Sequence, residues 1–396
     1  MAHQGAATAA GEHHETSMHT TDSEPEELLR AYLQLWSHAG GFLKSMALKC
    51  AMDLRIPDMI QRRGGAATLD DLLAASDLPP SSLPYLHRLM RALTALRIFA
   101  LHQDDDGQDP AAGASAGAAY QLTAASRLLL TGGDASYFSM VPAIYPLFGH
   151  GLSNSMLALC DWMKHDHAAT TSLYEVALGK GVWESMEANA AHRARFHDSM
   201  EADSRLVMHA VLSHSPAVFH GLTSLVDVGG GRGTAAAAVV RAFPHIKCTV
   251  MDLPQVVADA SAAGTGGLCF VAGDMFDHIP TADALLLKRI LHDWDDAKCI
   301  RIMQQCKETI SRNEQGRGKV IIIDTVIGYS PNDDMICMEA QVLCDLAMMV
   351  ASNGAEREEH EWRRIFLEAG FCDYKITHIH GALPSIIEVY PGPVES

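Results

Sequence analysis

One short segment in the second half of the chain carries side chains that could move a proton. It reads LLLKRILHDWDD, over residues 285–296, and His292 is its candidate base. A neutral imidazole titrates near pH 6.5 and can take the proton of a phenol, whose pKa is about 10. Such a base needs an acceptor on its other ring nitrogen. Asp324, in KVIIID, and Glu356, in NGAEREEHEW, are two candidates, and the choice between them stays open.

A glycine-rich turn suggests a cofactor site near the candidate base. LVDVGGGRG, over residues 225–233, is a strand followed by a turn that opens a helix. Glycines let the backbone approach a ligand closely. The next strand ends at Asp252, 19 residues after Gly233, where a carboxylate can bind two ribose hydroxyls. Asp274 and Met275, in AGDMF after a third strand, form a polar and apolar pair suited to adenine.

The elements that position these residues alternate between strand and helix. Short apolar strands separated by helical segments predict a parallel sheet with helices on both faces. The final segment, DYKITHIHGALPSIIEVYP, predicts two antiparallel strands at an edge of that sheet. The glycine turn, Asp252, Asp274 and the segment with His292 then share the carboxyl rim, where open α/β folds bind ligands. The predicted parallel strands are SLVDVGG, IKCTVMDL, LCFVAGDM, ADALLLKRI and KVIIIDTVI.

The first half reads as helical. Apolar residues recur at three and four spacing over residues 28–52, so one wide face must be buried in this chain or against a partner. Thr68 and Asp71 fit a capping box, and two helices followed by strands near residues 98–102 and Tyr120 make a winged-helix pattern. The low-complexity stretch between those strands, at 103–119, is expected to be a flexible wing tip.

Composition excludes several classes of function. The chain has 396 residues, with 48 acidic against 30 basic side chains and a net charge of −18, which disfavours nucleic acid and anionic membranes. No apolar run is expected to reach the roughly 18 residues of a membrane span, and no secretory signal is evident. Nine cysteines without a CxxC pair favour reduced thiols and a cytosolic protein.

Six motifs in order give the sequence a family resemblance. LVDVGGGRG, VMDLPQVV, GDMF, LLLKRILHDWDD, GKVIIID and EREEHEWRRIFLEAGF resemble the motifs of plant small-molecule O-methyltransferases, the caffeic acid and flavonoid group. Within that group the sequence is most similar to the grass root-preferential and N-acetylserotonin enzymes. The resemblance runs from about Glu26 to Pro393. It implies S-adenosylmethionine as methyl donor and a phenolic hydroxyl of a small plant metabolite as acceptor, with no metal.

The resemblance also implies a fold and a partner. The expected α/β architecture has a disordered tail at 1–25 and a mainly helical, winged-helix dimerisation domain at 26–155. A Rossmann-like class I methyltransferase domain follows at 156–396. The first domain would form an intimate homodimer, which accounts for its wide apolar face.

Site residues carry over by motif. His292 falls on the general base, flanked by Asp324 and Glu356. Two positions depart from the family pattern: His197 stands where asparagine is frequent, and Asp324 where some members have glutamate. The acceptor is expected to lie against Met348, Asp293, Trp294 and residues 140–156. The positions expected to bind the cofactor are Gly229, Asp252, Asp274, Met275, Lys288, Met200 and Ser204.

Three other readings stay open. A metal-dependent methyltransferase would need several ligands at one site. His378 and His380 share a strand face but lack an evident third ligand, and the acids of DWDD resemble a solvated helix start. A winged-helix regulator without catalysis is the second. A nicotinamide dehydrogenase is the third, although GGGxG differs from the GxGxxG spacing that fits a pyrophosphate. Flavonoids, stilbenes, phenylpropanoids, N-acetylserotonin, benzoxazinoids and alkylresorcinols are all candidate acceptors.

Overall fold

The start of the first helix corrects one expectation about the chain. This helix begins at Ser23, so a tail reaching residue 25 is wrong over its last three residues. Residues 1–22 and most of the predicted wing tip, 103–117, lie outside the described residues. The structure, a computed structural model, describes residues 23–102, 118–133, 137–164, 171–263, 267–311, 318–329 and 334–392.

The N-terminal half contains the predicted winged helix. The hydroxyl of Thr68 accepts a hydrogen bond from the backbone of Asp71, and the Asp71 carboxylate accepts one from the backbone of Thr68, so the capping box is present. The two wing strands pair antiparallel, and a short third strand joins them. The elements are α1 (Ser23–Ala39), α2 (Gly41–Asp53), α3 (Ile56–Arg62), β1 (Ala66–Ala67), α4 (Leu69–Ala75), α5 (Leu83–Ala95), β2 (Phe99–Leu101) and β3 (Tyr120–Leu122).

A run of helices connects this half to the sheet domain. The last and longest of them packs against three other helices, two that precede it and one that follows the glycine turn. The connecting helices are α6 (Ala124–Arg127), α7 (Val141–Ile144), α8 (His150–Leu157), α9 (Leu159–Met163), α10 (Leu173–Leu178), α11 (Val182–Ala188) and α12 (Ala190–His214).

The C-terminal half is an eight-stranded sheet with helices on both faces. Its strands are β4 (Ser224–Val228), β5 (Lys247–Asp252), β6 (Cys269–Ala272), β7 (Ala284–Lys288), β8 (Lys319–Ile327), β9 (Arg357–Glu358), β10 (Asp373–His378) and β11 (Pro384–Tyr390). Its helices are α13 (Thr234–Ala242), α14 (Pro254–Ala263), α15 (Asp296–Ser311), α16 (Met335–Ser352) and α17 (Glu359–Glu368).

The strand order creates one point where the chain direction splits. The order is β10-β11-β8-β7-β4-β5-β6, and β9 pairs with the end of β8. Strands β4 to β8 run parallel, whereas β10 and β11 form an antiparallel edge, so both predictions about the sheet are confirmed. Strand β4 lies between β5 and β7, so the connections that leave β4 and reach β7 run to opposite sides of it. A ligand site is expected at the carboxyl ends of β4, β5 and β7.

Burial on both faces explains the apolar strands. Leu285 and Leu287 point into a core formed with α15 and α17, while Leu286 points into a core formed with α12 and α13. All three side chains are fully buried. Alternate side chains of a strand face opposite sides of a sheet, so each strand of a sheet covered on both sides needs a continuous apolar run.

Helix α16 departs from an expectation about membranes. Among the described residues it is one helix long and apolar enough to cross a membrane, by length and composition only. The expectation that no segment reaches this length was therefore wrong. Only 11% of the apolar stretch is buried in the chain, and Ile336 and Leu343 are largely exposed. The helix thus presents apolar surface that the described part of the chain does not cover.

Helices α1 and α2 present a second apolar surface. The predicted helical stretch at 28–52 forms, with a break at Gly40. Eight large apolar side chains on these two helices are each more than half exposed, a larger patch than a monomer normally leaves in water. These residues are Leu28, Leu29, Tyr32, Leu33, Leu35, Trp36, Phe42 and Leu43.

We expect this surface to mediate self-association. Leu33→Asp should weaken the dimer by roughly 100-fold, because a buried leucine contributes about 1.5–3 kcal/mol and a buried carboxylate costs more. Light scattering after size exclusion measures the mass. Gln34→Asp, which adds the same charge at a polar position of α1, is the control. A Leu33→Asp protein that keeps the wild-type mass at low micromolar concentration would contradict the expectation.

Candidate active site

A cavity of about 330 Å³ lies where the strand order predicts it. The carboxyl ends of β4, β5 and β7 form its floor, and one face of α12 covers it. Its depth and mostly apolar walls fit a ligand of nucleoside size with a few polar contacts. The predicted site residues that line it are Gly229, Asp252, Asp274, Met275, Lys288, Met200, Ser204, Asp293 and Trp294.

The glycine turn shapes the floor of this cavity. Gly229 has a φ of +67°, and a Cβ there would lie 2.5 Å from Cδ1 of Ile290. Gly231 has a φ of +57°, and its backbone N–H donates to Oδ2 of Asp252 at 2.8 Å. Oδ1 of Asp252 accepts from the backbone of Leu253 at 2.7 Å. Burial raises the pKa of Asp252, and these two donors oppose the rise. The carboxylate is thereby fixed at the strand end.

Asp227 supports the same turn and was missed by the sequence analysis. It is buried at the end of β4, and its carboxylate accepts from the backbone N–H of Ala236 at 3.2 Å. A Cβ at Gly230 would lie 2.6 Å from its carboxyl carbon. Burial raises the pKa of Asp227 to about 7. The signal was available, since Asp227 is the one charged residue in LVDVGGG.

One face of α12 forms the opposite wall. His197, Met200 and Ser204 lie at three and four spacing and all line the cavity. His197 is buried, and its Nε2 has no hydrogen-bond partner among the described residues. Burial, and then the nearby Arg232, lower the pKa of this imidazole. A neutral polar ring therefore stands at the position where the family pattern often has asparagine.

Lys288 meets a partner that sequence reasoning did not find. It lines the cavity at the end of β7, and its ammonium is paired with the Asp203 carboxylate on α12. Asp203 is largely buried; burial raises its pKa, but the charges of Lys288, Arg289 and His292 together outweigh that effect, so the net shift is downward. The pair joins the sheet to α12 across the cavity. No local pattern marks Asp203, because the two residues are 85 positions apart.

Aromatic rings close the outer part of the cavity. Trp294 stacks on Trp183 with ring centroids 6.1 Å apart and an interplanar angle of 16°. Phe276 meets Trp294 edge-on at 5.2 Å, and Phe196 meets Trp183 in the same way at 5.9 Å. Flat apolar walls of this kind suit a flat ring. Trp294 was predicted from the sequence, whereas Trp183, which lies on α11, was not.

The three candidate catalytic residues meet beside this cavity. His292 is buried in a short 3-10 turn, Leu291–Asp293. Its Nδ1 lies 2.9 Å from Oε1 of Glu356, which is a hydrogen bond, and 3.3 Å from Oδ1 of Asp324. Its Nε2 lies 3.8 Å from Oδ1 of Asp293, a residue that lines the cavity. Of the two candidate acceptors, Glu356 is the one that bonds the imidazole.

A close backbone approach holds Glu356 in this place. The N–H of Ala355 donates to the carbonyl of His292 at 2.9 Å. A Cβ at Gly354 would lie 1.9 Å from that same oxygen, so only glycine fits there. The N–H of Glu356 donates to Oδ1 of Asp345, on α16, at 3.0 Å. The NGAE turn is therefore locked against the turn that carries His292.

Buried carboxylates control the protonation of the base. Burial lowers the pKa of His292, but Asp324, Asp293 and the hydrogen-bonded Glu356 outweigh it and raise the pKa to about 9. Burial also raises the pKa of Asp293 to about 6 and that of Asp324. The pKa of Glu356 is lowered instead. Burial raises it, but the hydrogen bond to His292 and the charges of His292 and Arg289 together lower it by more. The carboxylates around His292 therefore favour the protonated imidazole.

Comparisons with known proteins identify the two halves of the chain. Residues 157–372 match the model of the O-methyltransferase domain, and residues 36–132 match that of the O-methyltransferase dimerisation domain. TRIBOA-glucoside O-methyltransferase BX7 of Zea mays is 57% identical over 391 residues, covering 95% of this chain and 99% of the relative. Acetylserotonin O-methyltransferase 1 of Oryza sativa subsp. japonica is 47% identical over 366 residues, covering 92% and 96%.

The chain belongs to the O-methyltransferase family. The resemblance to plant small-molecule O-methyltransferases is confirmed, and the presence of the dimerisation domain supports a homodimer. The fold also matches solved structures. Human N-acetylserotonin methyltransferase, solved in complex with SAM, has a TM-score of 0.72 at 22% identity, covering 92% of this chain and 98% of that one.

The expected acceptor residues of this O-methyltransferase divide into two groups, because Asp293 and Trp294 line the cavity and the others do not. Within the described residues, neither Met348 nor the segment 140–156 lines it. Met348 lies on α16, which packs against the turn at Leu291–Asp293, and α8 packs against α16. Met348 therefore lies on the helix next to the turn of the base, and α8 contacts that same helix. Their contact with an acceptor stays a prediction.

We expect Gly354→Ala to reduce turnover of the enzyme by roughly 100-fold, because displacing Glu356 by about 1 Å misaligns the base. Donor binding should stay close to wild type, since Gly354 does not line the cavity. Steady-state rates and calorimetric titration with S-adenosylhomocysteine separate the two effects. Gly392→Ala, where a Cβ meets nothing within 4 Å, is the control. Equal turnover in both variants would contradict the role given to the close approach.

Proposed function

We propose that this enzyme transfers the methyl group of S-adenosylmethionine to a phenolic hydroxyl of a plant metabolite, with His292 taking the phenol proton. The observation that carries this proposal is the hydrogen bond from Nδ1 of His292 to Glu356. It leaves Nε2 as the ring nitrogen on the side of Asp293 and the cavity. A phenol oxygen placed there would give its proton to Nε2.

The cavity supports S-adenosylmethionine as the donor. The glycine turn leaves room for backbone approach, Asp252 is fixed where a ribose would lie, and the aromatic and methionine walls suit an adenine. When bound, this donor supplies a methyl group on a positively charged sulfur. The residues of the chain align the acceptor oxygen with that methyl and hold the proton it releases. Alignment of this kind can supply several kcal/mol of the barrier.

Metal-free chemistry fits the charges around the base. Ligand atoms of His292, Asp324 and Glu356 lie within 4.8 Å of one another, an arrangement that could hold a metal ion. However, the guanidinium of Arg289 lies 3.4 Å from Glu356 and 3.8 Å from Asp324. A cation is already built into the site, and a second one would be repelled. Asp295 caps the start of α15, as expected of an acid at a helix start.

The similarity to TRIBOA-glucoside O-methyltransferase favours a benzoxazinoid glucoside as the acceptor. Flavonoids, stilbenes and phenylpropanoids are further candidate acceptors, because they also present a hydroxyl on a flat ring. N-acetylserotonin and alkylresorcinols follow from relatives at 47% and 44% identity. All nine cysteines are free, which supports a cytosolic location.

We expect His292→Ala to lower kcat by roughly 100-fold or more, as loss of a general base does, while donor binding stays intact. Glu356→Gln should lose less, because the imidazole remains but is held by a neutral group. His360→Ala, at an exposed histidine, is the control. Because the base must be neutral to act, wild-type turnover should rise with pH toward about 9. Near-normal turnover of His292→Ala would remove this residue from the mechanism.

A panel of phenols with labelled methyl donor tests the acceptor. We expect the highest kcat/KM with a benzoxazinoid glucoside and product methylated on oxygen. In the same assay a chelator should leave the rate unchanged. Loss of activity with chelator, restored by magnesium, would replace the proposed chemistry with metal-assisted catalysis. A higher kcat/KM for a stilbene, flavonoid or resorcinol would reassign the substrate while leaving the role of His292 standing.

A further inference from the structure

Arg289 occupies a position that its backbone does not favour. It follows β7 with a φ of +55°, in the left-handed region that side chains other than glycine rarely adopt. Its backbone N–H donates to the carbonyl of Ile323 at 3.1 Å, which continues the pairing of β7 with β8. Strained backbone of this kind persists where the surrounding structure requires a side chain in one place.

The place it requires is beside the two carboxylates that flank the base. Nη1 of Arg289 donates to Oγ1 of Thr325 at 3.0 Å. The same atom lies 3.4 Å from Oε1 of Glu356 and 3.8 Å from Oδ1 of Asp324. The arginine side chain is 9% exposed and Asp324 is fully buried. Neither oxygen of Asp324 has a hydrogen-bond partner among the described residues, so its compensation comes through charge, first from His292 and then from Arg289.

The charges around Arg289 and His292 form one group. Asp203 on α12, Glu356, Asp324 on β8 and Cys344 on α16 face Arg289. Asp324, Asp293 and Glu356 face His292. Lys288, on β7, takes up the charge of Asp203. Asp324 and Glu356 carry two negative charges. Arg289 compensates one of them, and the other stabilises the proton on His292.

We propose that Arg289 is a positioning residue that lets His292 release and accept its proton, by compensating one of the two buried carboxylates at Nδ1. The inference rests on the proposed function, in which His292 is the base. Without Arg289, two uncompensated carboxylates would lie within 3.3 Å of one imidazole nitrogen. The protonated ring would then be favoured to a still higher pH, and a smaller fraction of the base would be neutral at pH 7.

The pH dependence of kcat/KM for one phenol, at saturating donor, tests the proposal. In Arg289→Met we expect the midpoint of the acid limb to rise by about one pH unit, with turnover near pH 7 about tenfold lower and recovering at high pH. Arg289→Lys keeps the charge and should keep the midpoint. The double variant Arg289→Met/Asp324→Asn removes one charge of each sign and should bring the midpoint back. The ionisation of the phenol itself is the same in all variants.

Two results would overturn the proposal. One is an Arg289→Met enzyme whose activity is lowered by the same factor at every pH, which would give Arg289 a structural role only. The other is a double variant whose midpoint stays where the single variant leaves it. Where Arg289→Met fails to fold, Asp324→Asn alone decides, because it should lower the midpoint and an unchanged midpoint contradicts the inference. An active His292→Ala enzyme would instead remove the proposed function, which separates the two failures.

Discussion

The hydrogen bond between His292 and Glu356 is possible only because several charges are buried together. A carboxylate taken out of water costs several kcal/mol unless a cation or hydrogen-bond donors compensate it. Asp324 and Glu356 are both fully buried or nearly so, and their compensation comes from the imidazole and from Arg289. The raised pKa of His292 is a consequence of that balance.

Strand order brings these charges together. His292 follows β7, Asp324 belongs to β8, and Glu356 precedes β9, which pairs with the end of β8. Parallel pairing of Lys288 with Ile323 places the residue that follows β7 beside Asp324, which lies within β8. The same edge of β4 and β5 carries the glycine turn and Asp252. A parallel sheet thus aligns cofactor cavity and proton acceptor without either depending on long loops.

Residues that follow strands could be predicted from sequence, whereas their distant partners could not. The glycine turn, Asp252 and the segment with His292 are marked by local pattern, and the sheet follows from apolar runs. The choice of Glu356 over Asp324 depends on the close packing of Gly354 on the carbonyl of His292, which no spacing reveals. The role of Arg289 could not be predicted either, because it depends on contacts with residues 35 or more positions away.

The sequence predicted apolar surfaces but not the groups that cover them. Apolar periodicity predicted a buried face for α1 and α2, and the described residues leave that face exposed. The sequence prediction was that no apolar run reaches membrane length, whereas α16 reaches it with two acidic residues, Glu339 and Asp345, among its residues. Averaged over the helix, those few charges do not offset the apolar residues. Pattern identifies an apolar face, but not what covers it.

Helix α16 connects this uncovered surface to the chemistry. Its outer side is apolar and exposed, its inner side packs against the turn that carries His292, and its Asp345 accepts from the backbone of Glu356. A helix with little buried surface opens at low cost in free energy. Cover over its outer side would therefore stiffen the carboxylate that orients the base. Loss of that cover would loosen Glu356 before it disturbed the cofactor cavity, because no residue of α16 lines that cavity in the described part of the chain.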